Sequence, residues 1–361
     1  MKAIRTSLIY FIALLLLGTG IPVAAEQEDA DILILSSPFT EEMFCILESA
    51  LSNQLCADSS GLGGSGSLGG GGSLGGSGSL GGGSSLDGNL GGLGSDSTFN
   101  TGGSAGASPA ANNSFADVSL ASSGVFSVNY SDGTGAQMRV GLSMSRVSGI
   151  KYYDYTQGTK MQYSFPYGSG AYVITLYRKT GGSSYATVGS VSVQVSIAQK
   201  YSEYLQSIRE ITFTQGDSVT KKADSLCGGK KTDQAKILAI YNYIAKNFKY
   251  DYSFADNVRS GKITSYCPVP TSILPNKKGV CYDFSSLFAA MCRSQGIPCK
   301  LVKGYSTKIN GYHAWNSVYD SATDKWYVID LTIAVCKKNK TASKFSGCCM
   351  KSADYTAKSA V

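Results

Sequence analysis

The sequence predicts an α+β protein with two folded parts. Apolar and polar residues alternate in short runs between residues 114 and 199, which is typical of half-buried strands. After residue 200, apolar residues recur at helical spacing and further strand-like runs follow them. We therefore expect a small all-β, sandwich-like domain over residues 114–199 and a mixed helix-and-strand domain over residues 200–361.

The first 25 residues have the composition of a secretory signal peptide. Lys2 and Arg5 precede an apolar run over residues 8–17, and the small residues 23–25 form a cleavage site. The run is short for a bilayer, so a retained membrane anchor is the less favoured alternative. We expect residues 1–25 to be removed, and the mature protein to be secreted or held at the cell surface or wall without membrane contact.

Two further segments precede the β-rich domain. Residues 26–60 are predicted to hold a short apolar run, residues 32–35, and then a helix over residues 41–55, where apolar residues recur at helical spacing. Residues 61–113 are rich in Gly and Ser with sparse leucines. Such a composition buries too little apolar surface to offset its ordering entropy, so we expect a disordered, flexible linker.

The β-rich domain is predicted from short strands with turn signals between them. Its predicted strands are residues 124–130, 137–144, 160–165, 171–178 and 191–197. Asp132-Gly133 and Gly181-Gly182 are among the turn signals. The many tyrosines could form a binding face, but tyrosine is also a good strand former, and that interpretation is favoured.

Two helices and three strands are expected in the second domain. The first helix begins at Thr232 and Asp233 and ends near Asn247, and the second begins at Cys281 and stops before Gly296. A proline-containing segment between the helices is predicted to be a loop. The predicted strands are residues 300–305, 313–319 and 325–330.

The ten cysteines are compatible with disulfide bonds because an exported protein meets an oxidising environment. Proximity in the sequence suggests these candidate pairs: Cys45 with Cys56, Cys227 with Cys267, and Cys336 with Cys348 or Cys349. Zinc is the alternative, but the chain has no Cys-x-x-Cys pair. We therefore expect no metal site.

Charge is distributed unevenly along the chain. Residues 26–199 carry 6 Lys and Arg against 13 Asp and Glu, whereas residues 200–361 carry 24 against 12. A basic surface could attract anionic wall polymers, although a solvated lysine surface that only aids solubility is favoured. No nucleic-acid partner is expected, since the lysines are scattered and no recognition motif accompanies them.

Three residues of the second domain have the chemistry of an activated thiol. Cys281 stands at the start of a helix, where the backbone amides and the helix dipole favour an anion. His313 is the only histidine of the chain, and Asp330 ends a predicted strand. Cysteine, histidine and aspartate can act as nucleophile, base and orienting carboxylate. Structural roles remain open: a buried or bridged thiol, a core histidine and a strand-end cap.

The surrounding motifs resemble those of the transglutaminase-like superfamily. They are Gly-Val-Cys-Tyr-Asp-Phe at 279–284, Gly-Ile-Pro at 296–298, Gly-Tyr at 304–305, His-Ala-Trp-Asn at 313–316 and Trp-x-x-x-Asp-x-Thr at 326–332. The resemblance covers about residues 205–335 and is strongest to secreted bacterial members with a β-rich domain ahead of the catalytic one.

The resemblance implies a papain-like fold with Cys281 as nucleophile, His313 as base and Asp330 as orienting residue. In this superfamily a side chain upstream of the nucleophile commonly supplies a second oxyanion donor, for which Tyr250 and Tyr252 are the candidates. The expected substrate is an amide group of a protein or cell-wall peptide, with no organic cofactor. Water or an amine could resolve the acyl-enzyme, and a non-catalytic surface binding or assembly protein is the alternative.

Overall fold

The computed structural model describes residues 32–34, 115–337 and 341–361. The predicted signal peptide, the helix over residues 41–55, the linker and the Cys45–Cys56 pair therefore lie outside the described residues. Within the described part of the chain, no helix is long and apolar enough to cross a membrane.

The β-rich domain consists of two sheets that share one core. Its strands are β1 (Ile32–Ile34), β2 (Ala116–Asp117), β3 (Val125–Val128), β4 (Met138–Met144), β5 (Val147–Tyr155), β6 (Met161–Ser164), β7 (Gly170–Gly181) and β8 (Ser184–Val195). One sheet has the order β1-β8-β7-β4-β5 and the other β2-β3-β6. Between them lie buried residues from both sheets, among them Phe126 and Tyr163 from the smaller and Met138, Leu142 and Ile174 from the larger. The sandwich-like prediction is confirmed.

Two strands of this domain differ from the sequence prediction. Strand β5 was not predicted, because most of its first half is exposed and Gly149, at φ 90°, interrupts the alternation. Strand β1 pairs antiparallel with β8 over three residues. The predicted apolar run over residues 32–35 thus contributes an edge strand over residues 32–34, and the helix predicted over residues 41–55 lies outside the described residues.

The second domain contains six helices in its described residues. They are α1 (Ser218–Cys227), α2 (Asp233–Asn247), α3 (Tyr252–Arg259), α4 (Pro270–Asn276), α5 (Cys281–Ser294) and α6 (Leu331–Cys336). Helices α2 and α5 have the predicted bounds, and the Thr232 side chain caps α2 by accepting the amide of Ala235. The predicted proline loop is wrong, because Pro270 occupies the first turn of α4, where a helix needs no amide donor.

A five-stranded antiparallel sheet faces the helices. Its order is β14-β13-β12-β11-β15, with β11 (Cys299–Ser306), β12 (Ile309–Asp320), β13 (Lys325–Ile329), β14 (Cys349–Met350) and β15 (Tyr355–Ala360). Strands β11 to β13 match the predicted ones, whereas β14 and β15 had no clear apolar alternation. A separate short parallel pair joins β9 (Lys249–Tyr250) to β10 (Lys278–Gly279).

Helix α5 is the centre of the domain. Its residues from Cys281 to Arg293 are buried, and it packs against β11, β12, α1 and α2. At its far end the Arg293 side chain donates to the carbonyls of Cys299 (2.9 Å) and Gln206 (2.6 Å). A helix held along its length by packing and at its end by a buried cation presents its first residue in a defined place.

Hydrogen bonds join the two domains beside the sandwich. The Arg209 amide donates to the carbonyl of Gln162 (2.6 Å), and the Gln162 side chain donates to the carbonyl of Ser207 (2.6 Å). These bonds cover the outer edge of β6, which would otherwise be open to another strand.

The eight cysteines of the described residues are all thiols, which corrects the proposed pairing of Cys227 with Cys267 and of Cys336 with Cys348 or Cys349. Cys227 is directed at the carbonyl of Lys236 and Cys267 at that of Arg209, so their sulfurs have different surroundings. Cys348 and Cys349 both contact the carbonyl of Phe345, at 2.9 and 3.3 Å. Proximity along the sequence did not indicate which thiols meet in space.

Candidate active site

Cys281 is the first residue of α5 and is completely buried. The turn before it depends on Asp283, whose carboxylate accepts the amide of Val280 at 2.8 Å. Gly279 makes room for this arrangement, because a Cβ at this position would lie 2.6 Å from the Cβ of Asp283. The amides of the first turn have no partner within the helix, so they can stabilise negative charge near the sulfur or on a bound carbonyl oxygen.

His313 lies in β12, opposite Gly304 of β11. Gly304 is required there, since a Cβ would collide with the carbonyl of Thr356 and lie 2.9 Å from the Trp315 ring. The Trp315 ring stacks beside the imidazole, with centroids 6.2 Å apart. The Gly-Tyr and His-Ala-Trp-Asn motifs are therefore parts of one packed wall.

Asn316 connects this wall to the helix that carries Cys281. Its side-chain nitrogen donates to the carbonyl of Ser285 in α5 (2.9 Å) and to that of Lys300 in β11 (3.1 Å). The side chain is fully buried. It thereby sets the distance between the helix and the sheet, a role that the sequence motif alone did not reveal.

The two carboxylate oxygens of Asp330 have different kinds of partner. Its Oδ1 atom caps α6 by accepting the amides of Thr332 (3.0 Å) and Ile333 (3.3 Å). Its Oδ2 atom accepts a hydrogen bond from Nε2 of His313 at 2.9 Å. One oxygen of Asp330 therefore caps a helix, where the sequence suggested a strand-end cap, and the other contacts the histidine as the predicted orienting role requires.

The imidazole of His313 is held between Asp330 and Cys281. Burial alone would lower its pKa, but the Asp330 carboxylate and the Cys281 sulfur more than offset burial and raise the pKa to about 10. Because Nε2 bonds to Asp330, Nδ1 is the nitrogen left for the sulfur. Among the described residues Nδ1 has no hydrogen-bond partner, although Cys281 lies near enough to help raise the pKa of the ring. Near neutral pH the arrangement therefore favours an imidazolium beside the sulfur.

The structure distinguishes the two oxyanion candidates. Tyr250 is buried, pairs with Gly279 across β9 and β10, and its ring lies 6.3 Å from that of Phe284 in the first turn of α5. Tyr252 is 43% exposed at the start of α3, with its ring 5.0 Å from that of Tyr250. Tyr250 is therefore the one packed beside the start of α5.

Asp283 is a titratable neighbour that the sequence reasoning missed. Burial raises its pKa to about 7, while hydrogen bonds from Tyr266 and the Val280 amide act in the opposite direction, and the charge of Cys281 adds to the increase. An acidic residue three positions after the helix cap is a recognised signal for a capping interaction. The helix that favours a thiolate thus also carries a carboxyl group that partly opposes it.

The side chains of Cys281, His313 and Asp330 are all buried away from solvent. Cys281 and His313 are 0% exposed and Asp330 is 2% exposed. A substrate carbonyl must approach the sulfur to within bonding distance, so this arrangement has to open before it can react. Among the described residues, no group of His, Cys, Asp and Glu has the arrangement of a metal site.

Comparisons with known proteins concern mainly the second domain. Residues 220–331 match the family model described as the transglutaminase-like superfamily. Kyphoscoliosis peptidase of mouse and that of human are each 32% identical over 126 residues, which is 32% of this chain and 18% of the peptidase. The chain therefore corresponds to less than a fifth of the length of these relatives.

Solved structures that partly resemble this chain include two proteins from other organisms. A protein of Cytophaga hutchinsonii, described as a candidate cysteine protease, is 20% identical, with 58% of this chain and 71% of that chain covered and a TM-score of 0.31. Red sea bream transglutaminase is 11% identical, with coverage of 58% and 48% and a TM-score of 0.26. The resemblance inferred from the motifs is confirmed by the family model, since residues 220–331, which carry Cys281, His313 and Asp330, match the model of the transglutaminase-like superfamily.

Proposed function

We propose that this protein is a secreted thiol enzyme that forms an acyl-enzyme on Cys281 from amide groups of proteins or cell-wall peptides. The observation that carries the proposal is the series in which Asp330 binds Nε2 of His313 at 2.9 Å while the imidazole interacts with Cys281 at the start of α5. The match of residues 220–331 to the model of the transglutaminase-like superfamily supports a thiol enzyme at this general level.

The first half of the reaction follows from these positions. The Cys281 thiolate attacks the carbonyl carbon of the amide, and a carbon–sulfur bond forms as charge moves to the oxygen. The free amides at the start of α5 receive this oxyanion, with Tyr250 as a further candidate donor. The His313 imidazolium gives its proton to the leaving nitrogen, the carbon–nitrogen bond breaks, and a thioester remains.

The second half depends on which nucleophile reaches the thioester. The neutral imidazole takes a proton from water or from an amine, the new bond forms at the carbonyl carbon, and the carbon–sulfur bond breaks to restore the thiolate. Water gives hydrolysis of the amide, and an amine gives transfer of the acyl group. Asp330 keeps the imidazole oriented through both halves.

We favour hydrolysis, or transfer to an uncharged or terminal amine. Residues 200–361 carry 24 Lys and Arg against 12 Asp and Glu, so a protonated lysine acceptor would approach a surface of its own sign. The two mammalian relatives are named as peptidases, which supports this preference.

The test of this preference uses a glutamine-rich protein substrate with a fluorescent primary amine. Release of ammonia or of peptides, with little stable label on the substrate, supports hydrolysis. Efficient incorporation of the amine without excess ammonia would instead establish transfer. The Cys281→Ala variant is the control, since any activity that survives in it comes from another source.

A binding or assembly protein with a vestigial thiol site is the second candidate. The complete burial of Cys281 is the observation that favours it. Peptide mapping after iodoacetamide treatment of the folded protein discriminates the two. Alkylation at Cys281 supports the enzyme, whereas an inert Cys281 with label only on other thiols supports the scaffold.

A further inference from the structure

Tyr355 contacts the same carboxylate oxygen as the histidine. Its hydroxyl donates to Oδ2 of Asp330 at 2.9 Å, the distance at which Nε2 of His313 also binds that atom. Tyr355 begins β15, the edge strand of the sheet, and lies outside the segment that matches the family model. Its ring packs on Trp315, with centroids 5.0 Å apart.

The hydrogen-bond count explains why this contact matters. Oδ1 of Asp330 accepts two backbone amides, and Oδ2 accepts His313 and Tyr355, so each oxygen has both of its acceptor positions in use. The amides hold the carboxyl group in place whether or not Tyr355 is present. The tyrosine hydroxyl and the imidazole therefore share one acceptor oxygen, and the carboxylate cannot rotate to relieve this competition because the α6 amides hold it.

We propose that Tyr355 is a positioning residue that shares Oδ2 of Asp330 with His313 and so limits how strongly the carboxylate holds the imidazole proton. The effect on turnover rests on the proposed function, but the effect on His313 does not. Without this sharing, His313 would bind its proton more tightly. The imidazolium would then give the proton to the leaving nitrogen less readily, and less neutral imidazole would be present to act as the base.

The groups around Tyr355 keep its hydroxyl protonated over the pH range of the proposed reaction. Burial, followed by the charge of Asp330, raises the pKa of Tyr355, so its hydroxyl remains a donor. Burial, with smaller contributions from Cys348 and Asp330, raises the pKa of Tyr241 of α2 to about 12. Asp354, beside Tyr355, is paired with Lys308 at 3.1 Å. On α5, the titratable group that faces His313 is Cys281.

The single histidine makes a direct test possible. Protein labelled with nitrogen-15 histidine gives one imidazole signal set, and its titration by NMR reports His313 alone. We expect a midpoint near pH 10 in the unaltered protein. In Tyr355→Phe, the midpoint should rise by about half a unit or more, since the carboxylate is then left to the imidazolium.

Tyr327→Phe is the matched control, because its hydroxyl lies in the same sheet but is hydrogen-bonded to Thr323 Oγ1, at 3.3 Å, rather than to Asp330. Its midpoint should equal that of the unaltered protein. A midpoint in Tyr355→Phe that is unchanged or lower would overturn the proposal, whatever the activity. A raised midpoint in a protein without amide turnover would leave the positioning role standing and refute the proposed function instead.

For a protein with turnover, Tyr355→Phe should lower kcat by about three- to tenfold with KM unchanged, in line with the expected shift. A purely structural tyrosine would change the melting temperature without moving either the titration or the ratio of kcat to KM. That pattern would likewise overturn the proposal.

Discussion

Replacement of Asn316 by alanine should both destabilise the second domain and slow the reaction of Cys281. Asn316 is 0% exposed, and its side-chain nitrogen serves the carbonyls of Ser285 and Lys300. The substitution leaves two buried carbonyls short of a donor, at a cost of about 1 to 2 kcal/mol each. We expect the free energy of unfolding to fall by about 2 to 4 kcal/mol.

The catalytic part of this prediction follows from geometry. Without the bond to Ser285, the start of α5 can move relative to β12, so the sulfur and the imidazole lose their common position. We expect the second-order rate constant for alkylation of Cys281 by iodoacetamide to fall about tenfold or more. Denaturant titration measures the first effect, and a timed alkylation with peptide mapping measures the second.

Asn242 offers a matched control for this experiment. Its side chain also makes two hydrogen bonds to backbone, both with Ala342, at 2.9 and 2.8 Å, but it lies on α2 away from the Cys281 end of α5. Asn242→Ala should lower stability and leave the alkylation rate unchanged. If both variants changed the alkylation rate equally, or if Asn316→Ala changed only stability, the hydrogen bonds of Asn316 would have no role in positioning the thiol.

Three further predictions concern the charged pair and export. Asp330→Asn should lower activity by orders of magnitude and also lower the unfolding free energy near neutral pH, because the asparagine oxygen can still cap α6 but no longer pairs with the buried imidazolium; kinetics and thermal unfolding of one preparation measure both. Because the pKa of His313 is raised to about 10 from an ordinary value near 6.5, its contribution to stability is full below about pH 6.5 and is lost as pH rises to about 10. The difference in unfolding free energy between the unaltered protein and His313→Gln should therefore narrow over that range, and a constant difference would contradict the raised pKa. The exported protein should begin at Glu26 by N-terminal sequencing, and an intact Met1 would refute the signal peptide.

The parts of the fold that could be predicted were those with local signals. Helix α2 has a threonine cap and a broad apolar face, and α5 ends where Gly296 follows it, so both were found from the sequence. Strand β5 and helix α4 were missed because their signals conflict: a glycine interrupts the first, and the prolines of the second suggest a loop although Pro270 fits a first turn.

The candidate site was likewise only partly predictable from the sequence. The chemistry of Cys281, His313 and Asp330 limits the possible roles of those residue types, so their spacing and motifs pointed to them together. The contributions of Asn316, Asp283 and Tyr355 depend on which backbone or carboxylate oxygen each one reaches. Those contacts join elements far apart in the chain, and no local pattern encodes them.

The pH dependence of Cys281 alkylation tests the central claim most directly. If an imidazolium at His313 stabilises the thiolate, Cys281 in the folded protein should react with iodoacetamide well below pH 8, and His313→Ala should move that reaction upward toward the ordinary thiol pKa of about 8.5. Cys267, a partly exposed thiol on another segment, serves as the internal reference and should not change. A Cys281 profile identical in the two proteins would contradict the account.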